Sequence, residues 1–132
     1  MVKRFELKTD SRNCMLDITR MVASAVTESA IDDGLALVYV PHTTAAITTN
    51  EGADPDVIED VLSFLEEIVP YNHNYRHFEG NSDAHIKSLL VGVSQTIIVD
   101  KGKLNLGTWQ KVFFCEFDGP RKRHFFVKTQ KS

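Results

Sequence analysis

Five histidines punctuate the chain, at positions 42, 73, 77, 85 and 124. Three of them stand where a fold can gather them. His42 follows Pro41 at the end of an apolar run, His77 lies in a stretch without periodicity, and His85 lies near the start of a short helix. Neutral imidazole is the commonest protein ligand for zinc and related metals, and three imidazoles leave a coordination position open for water or substrate. The step from His77 to His85 suits a pair drawn from a loop and a helical turn, yet it matches no zinc pattern. From spacing alone, three separate surface or hydrogen-bonded histidines are the simpler arrangement. His73 and His124 read as structural or surface residues.

Other polar residues offer themselves as partners. Asn50-Glu51-Gly52-Ala53-Asp54-Pro55-Asp56 concentrates three carboxylates at a helix start. Asp54 is explained as a helix cap and Asp56 as a charge that favours the first turn. Glu51 has neither explanation, and reads either as a general acid/base or partner of a metal-bound histidine, or as a solvated turn residue. Glu79-Gly80-Asn81-Ser82-Asp83 resembles a binding loop, with glycine allowing close backbone approach and Asn81 able to donate and accept. Lys87 is placed to meet an anion or simply to be solvated. Arg121, leaving the turn Asp118-Gly119-Pro120, is a candidate bidentate clamp for phosphate or carboxylate, or one member of an exposed Arg121-Lys122-Arg123 patch.

The elements that must position these residues can be traced in order. Val2 to Thr9 alternates, with Lys3, Phe5, Leu7 and Thr9 as the more apolar set, and predicts a half-buried strand. Cys14–Ile18 predicts a short strand returning along it. Thr19 is the expected cap of a helix through Ala30, with Ile18, Met21, Val22, Ala25 and Val26 on one face. Leu35–Val40 predicts a strand buried on both faces, closed by Pro41. Thr44–Asn50 predicts another strand. Asp54-Pro55 starts a helix whose apolar stripe runs from Val57 to Val69, and Pro70 stops it. Residues 71–82 predict a functional loop, followed by a short helix through Leu90. Strands over Gln95–Val99, Trp109–Phe117 and His124–Lys128 complete the chain, with a tight turn at Asp100-Lys101-Gly102-Lys103 and a return from Leu104. Grouped, hairpin-linked strands predict an α+β fold with a mainly antiparallel, sandwiched sheet and two to three helices. No glycine pattern supports a nucleotide-binding loop.

Length and composition set the frame. The chain has 132 residues, enough for one domain whose core needs no disulfide staple. Its hydrophobic fraction of 42% and charged fraction of 25% exclude a disordered chain. The net charge of −3 argues against a general nucleic-acid binder. No apolar run approaches the ~20 residues that a membrane helix needs. Residues 1–6 carry no apolar leader, and two cysteines without close spacing fit a reducing compartment, so the expected location is the cytoplasm. The charge is uneven. Residues 1–100 carry 7 basic and 16 acidic side chains, whereas residues 101–132 carry 8 and 2. An acidic helix and basic final strands account for this. The alternative is that the two segments meet at one site suited to a metal ion beside an anionic substrate.

Taken together, the motifs resemble one family. Pro41-His42-Thr43-Thr44-Ala45-Ala46-Ile47, Asn50-Glu51 and Ala53-Asp54-Pro55-Asp56-Val57 are similar to the opening motif of the YjbQ-like family, also called the secondary thiamine-phosphate synthase enzyme family. His77 with Glu79–Lys87, Leu106-Gly107-Thr108-Trp109-Gln110 and Phe114–Arg121 resemble it too, in the same order across nearly the whole chain. The resemblance implies a compact α+β sandwich assembling as a homotrimer. It implies a weak thiamine-phosphate synthase activity, joining a pyrimidine diphosphate to a thiazole phosphate with loss of pyrophosphate. Metal-assisted hydrolysis of a phosphorylated small molecule, or binding without turnover, are the alternatives. It further implies that His42, His77 and His85 form a shared set for a divalent metal, with Glu51, Asn81 and Arg121 as neighbours. A three-imidazole set suits zinc or another transition metal better than Mg²⁺. The basic groups Arg121 and Lys87 would then face a small phosphorylated substrate.

Overall fold

The structure, a computed structural model, describes residues 2–132; Met1, which opens the N-terminal segment considered above, lies outside the described residues. The elements are β1 (Val2–Lys8), β2 (Cys14–Asp17), α1 (Thr19–Ser29), β3 (Asp33–Tyr39), β4 (Ala45–Glu51), α2 (Pro55–Ile68), α3 (Ser82–Val91), β5 (Ser94–Asp100), β6 (Lys103–Leu104), β7 (Gln110–Glu116) and β8 (Lys122–Lys131). They build a five-stranded sheet in the order β1-β8-β3-β5-β6 and a three-stranded sheet in the order β2-β7-β4. The strand pairs are antiparallel. The expected α+β sandwich is the fold observed.

Alternation along the strands builds the core. Val38, Ile97, Phe125 and Val127 point inward from the larger sheet and meet Ile47, Val112 and Phe114 from the smaller one. Ile18, Val22 and Ala25 of the α1 segment join the same cluster. Burial of each large side chain here stabilises the fold by roughly 1.5–3 kcal/mol. The opposite face of the small sheet presents Ala46, Phe113 and Cys115. Ala84 of α3 and Ile58, Leu62 and Leu65 of α2 pack against them. The small sheet is thus apolar on both sides.

Four local expectations are corrected. The Cys14 strand does not return along β1; it pairs with β7 and joins the other sheet. Thr19 does not cap α1, because Asp17 Oδ1 takes both the Thr19 N–H (2.9 Å) and its hydroxyl (2.6 Å). β3 is buried on one face only. Ala36 and Val38 are inside, while Leu35, Leu37 and Tyr39 remain exposed on the outer face of the large sheet. The stripe on α2 is only partly covered, with Val61 and Ile68 open to solvent. Its start matches expectation, with Asp54 Oδ1 accepting the Asp56 N–H at 3.0 Å and Pro55 in the first turn.

Candidate active site

Three connections converge at one end of the sandwich. The β3–β4 connection carries His42 to Thr44. The α2–α3 connection and the first turns of α3 carry His77, Glu79, Asn81 and His85. The β7–β8 turn carries Asp118 and Arg121. Together with Arg123 of β8, these residues line a cavity of about 430 Å³. The fold therefore gathers His42, His77, His85, Asn81 and Arg121, all singled out in the sequence.

The four imidazoles in this region form two edge-to-face pairs. The His77 and His85 ring centroids are 5.5 Å apart, and those of His42 and His124 are 4.7 Å apart. His42 Nε2 accepts the backbone N–H of His124 at 3.2 Å. That bond assigns the proton of the neutral ring to Nδ1. Burial first, then the positive charge of Arg123 and the neighbouring His124, lower the His42 pKa from its ordinary value. His42 is accordingly neutral at pH 7 and has an N–H to donate.

Two guanidinium groups are held in place by carboxylates. Arg121 donates Nε to the Asp118 carbonyl (2.9 Å) and Nη2 to Asp118 Oδ2 (3.1 Å). Arg123 donates Nε to Glu116 Oε1 (2.8 Å), and Nη2 to Glu116 Oε2 and to Thr44 Oγ1 (2.8 Å). Neither Nη1 has a hydrogen-bond partner among the described residues. Arg123 and Glu116 are both buried. Burial alone would raise the Glu116 carboxyl, but hydrogen bonds from Arg123, the Asp118 N–H and Thr9 hold it below the ordinary carboxylate value. Asp118 Oδ2 also accepts Asn81 Nδ2 at 2.8 Å. The other amide atom, Asn81 Oδ1, is buried without a partner. A buried acceptor of this kind favours a ligand with a donor to give it. Gly119 lets the turn close, since a Cβ there would collide with the Ser11 carbonyl.

Glu51 and Lys87 stand elsewhere. Glu51 pairs with Gln110 at the far end of β4, whereas the cavity adjoins the Thr44 end. Its Oε2 accepts the Ala53 N–H at 2.7 Å and so stabilises the turn into α2. Lys87 is buried, with Nζ 2.6 Å from Glu66 Oε2, 3.4 Å from Asn13 Oδ1 and 3.8 Å from Asp83 Oδ2. The anions that it meets are the protein's own, because the helical periodicity of α3 turns it toward the core.

The implied metal can be tested against these donors. A three-imidazole centre needs a lone pair from each ring. His42 has one nitrogen taken by the His124 N–H and the other protonated. Among the described residues no three His, Cys, Asp or Glu side chains gather closely enough to hold an ion. As positioned, the donor set does not fit a three-histidine centre.

Sequence reasoning missed Arg123 and treated Asp118 as a turn former. The signal for Arg123 was present in parity: Arg123, Phe125 and Val127 alternate, and all three point inward. Nothing in the sequence showed that a turn aspartate would collect Arg12, Asn81 and Arg121.

Comparison with known proteins places this site in context. The family model described as UPF0047 protein YjbQ-like matches residues 3–132. A UPF0047 protein of Methanocaldococcus jannaschii is 57% identical over 97% of this chain and 93% of its own length. The UPF0047 protein YugU of Bacillus subtilis is 53% identical over 97% of this chain and 98% of its own. The crystal structure of a conserved YjbQ/UPF0047-family protein from Clostridium acetobutylicum superposes with a TM-score of 0.96 at 53% identity, over 97% of this chain and 99% of that one. A YbjQ-like protein of unknown function from Sulfolobus solfataricus gives a TM-score of 0.96 at 32% identity, over 100% of this chain and 97% of its own. The chain belongs to the YjbQ-like UPF0047 family.

Proposed function

We propose that the chain is a small enzyme acting on a phosphorylated small molecule in the cavity of His42, His77, His85 and Arg121. The observation that carries this is the meeting, in one cavity, of two guanidinium groups whose Nη1 atoms have no hydrogen-bond partner among the described residues with two adjacent imidazoles. Arg121 and Arg123 donate to phosphoryl oxygens while Asp118 and Glu116 keep them from rotating away. Neutral His42 donates from Nδ1. His77 and His85 lie where a proton is given or taken.

The reaction favoured by the family resemblance is the thiamine-phosphate synthase type. The pyrimidine diphosphate loses pyrophosphate as the thiazole nitrogen bonds to its carbon, and the guanidinium groups stabilise the charge that develops on the leaving group. Hydrolysis of a phosphate ester is the second reading, favoured by the imidazole pair. Water bonds to phosphorus as one imidazole takes its proton, the ester P–O bond breaks, and the other imidazole, entering as imidazolium, protonates the departing oxygen. In either reaction, a divalent metal would require His42 to release the His124 N–H. Metal analysis of the purified protein, before and after chelation, belongs with the assay.

The proposal includes a homotrimer in the cytoplasm. Free Cys14 and Cys115 suit a reducing compartment. Leu35, Leu37 and Ile98 form an exposed apolar band on the outer face of the large sheet, which suits subunit contact. Among the described residues no helix is long and apolar enough to cross a membrane.

The test follows phosphorus by ³¹P NMR with the two thiamine precursors, and separately with a simple phosphate ester. Wild-type protein is expected to release pyrophosphate or phosphate. Arg121→Ala and His85→Ala are each expected to lose activity by about 10²-fold or more. Undiminished turnover in both variants would refute the assignment.

A further inference from the structure

A second cavity, of about 480 Å³, opens beside the first and shares Pro41, His42, Thr43 and His85 with it. Its character differs. The first is lined by Arg121, Arg123, Asp118 and Asn81. The second is lined by Tyr39, Val40, Leu89 and Val93, with no Asp, Glu, Lys or Arg side chain.

The same two elements frame both. His85 and Leu89 are four residues apart in α3 and lie on one helix face. His85 therefore turns toward the seam while Leu89 faces the apolar side. The end of β3 and its exit do the same, with Tyr39 and Val40 on the apolar side and His42 at the seam. Ser88 Oγ, 2.6 Å from the Ala45 carbonyl, fixes α3 against β4 and sets the width of the arrangement. Leu89 is 81% exposed and Val93 39% exposed, so neither is explained by the core.

Resting on the anion site proposed above, we infer that the ligand is a phosphomonoester with an apolar, ring-sized body. Its phosphate lies against Arg121 and Arg123, and its body lies on Leu89, Val93 and Tyr39. The ester linkage then falls at the seam, beside His42 and His85. Continuity of the two cavities through those residues assigns this occupant. A polar-bodied phosphate would leave the apolar half wet and gain nothing from it.

The experiment is a calorimetric titration with inorganic phosphate, glycerol phosphate and phenyl phosphate, on wild-type protein and on Leu89→Asp, Val93→Asp and Arg121→Ala. Both Leu89 and Val93 are exposed enough for the variants to fold. Phenyl phosphate is expected to bind at least tenfold more tightly than glycerol phosphate, roughly 1.4 kcal/mol. Leu89→Asp and Val93→Asp are expected to abolish that difference and leave inorganic phosphate binding unchanged. Arg121→Ala is expected to weaken all three. Equal binding of phenyl and glycerol phosphate, with inorganic phosphate still bound, overturns the apolar subsite but leaves the anion site standing. Absence of all phosphate binding overturns both. A change in sedimentation mass on Leu89→Asp, with no phenyl advantage in wild type, would show that a second copy covers this face, and the inference would fall.

Discussion

Asp118 holds Arg121 at two points, through its backbone carbonyl at 2.9 Å and its carboxylate at 3.1 Å. The same carboxylate oxygen takes the Asn81 amide at 2.8 Å, and the other oxygen reaches Arg12 at 3.4 Å. One side chain thus orients two cavity residues from different connections and ties both to the β1–β2 turn. Its removal would not uncover a core. It would release a donor and turn an amide.

Asp118→Asn is expected to weaken inorganic phosphate binding about tenfold, since hydrogen bonds to charged groups are worth about 1.5–3 kcal/mol and Arg121 keeps its carbonyl contact. Titration calorimetry measures this. Unchanged affinity with an intact fold would show that Arg121 needs no support from the carboxylate.

Glu116 is a harsher case, because it is buried together with Arg123. Glu116→Gln leaves the guanidinium charge in the interior with a neutral partner. Removing one member of a buried pair costs about 3–5 kcal/mol, which urea unfolding at pH 7 will read. The acid limb gives a second readout. The Glu116 pKa is lower in the fold than in the unfolded chain, so its stabilisation is present above the unfolded value of about 4.3. It is lost as pH falls from there toward the folded value. Wild type should lose stability more steeply than Glu116→Gln across that window. Parallel slopes would mean that the carboxylate is not stabilised by the fold.

Much of this was legible from sequence because strand alternation and helix signals are local. Asp54-Pro55 announced α2, and the alternation from Lys3 to Thr9 announced β1. What was not legible depends on pairing at long range. β2 leaves β1 for β7 because Cys14, Met15 and Leu16 lie opposite Glu116, Cys115 and Phe114, 98 to 102 positions away in the chain. The histidine set was legible because few other residues do its chemistry. Lys87 was not, because a lysine on a short helix looks the same whether it faces water or Glu66. Its burial is decided by Asp83, Glu66 and Asn13, which converge only in the fold.

Lys87→Met tests that placement. The ammonium ties α3 to Glu66 of α2 and faces buried Asp83. Its loss leaves Asp83 with Arg12 alone at 3.0 Å. We expect a loss of about 2–3 kcal/mol, below the fully buried figure because Glu66 is half open to water. Inorganic phosphate should bind the folded variant as it binds wild type. A specific loss of phosphate affinity, with stability unchanged, would return Lys87 to the anion site.

The exposed band on β3 makes the last prediction. A run such as Leu35–Val40 was expected to be covered on both faces, yet only the Ala36 and Val38 side is covered within the chain. Leu35 lies opposite Ile98, so the apolar surface crosses from β3 to β5 there, while Leu37 is flanked by Lys128 and Thr96. Lys128 and Thr96 make poor core but good interface margin. If three copies seal this face, Leu37→Asp places a carboxylate in each contact without disturbing the interior, where Val38 and Val127 are untouched. Analytical ultracentrifugation should then show the mass of three chains for wild type and of one chain for the variant, with similar circular dichroism. A wild-type protein sedimenting as a single chain would sink the trimer, and a variant that stays trimeric would move the contact to another face.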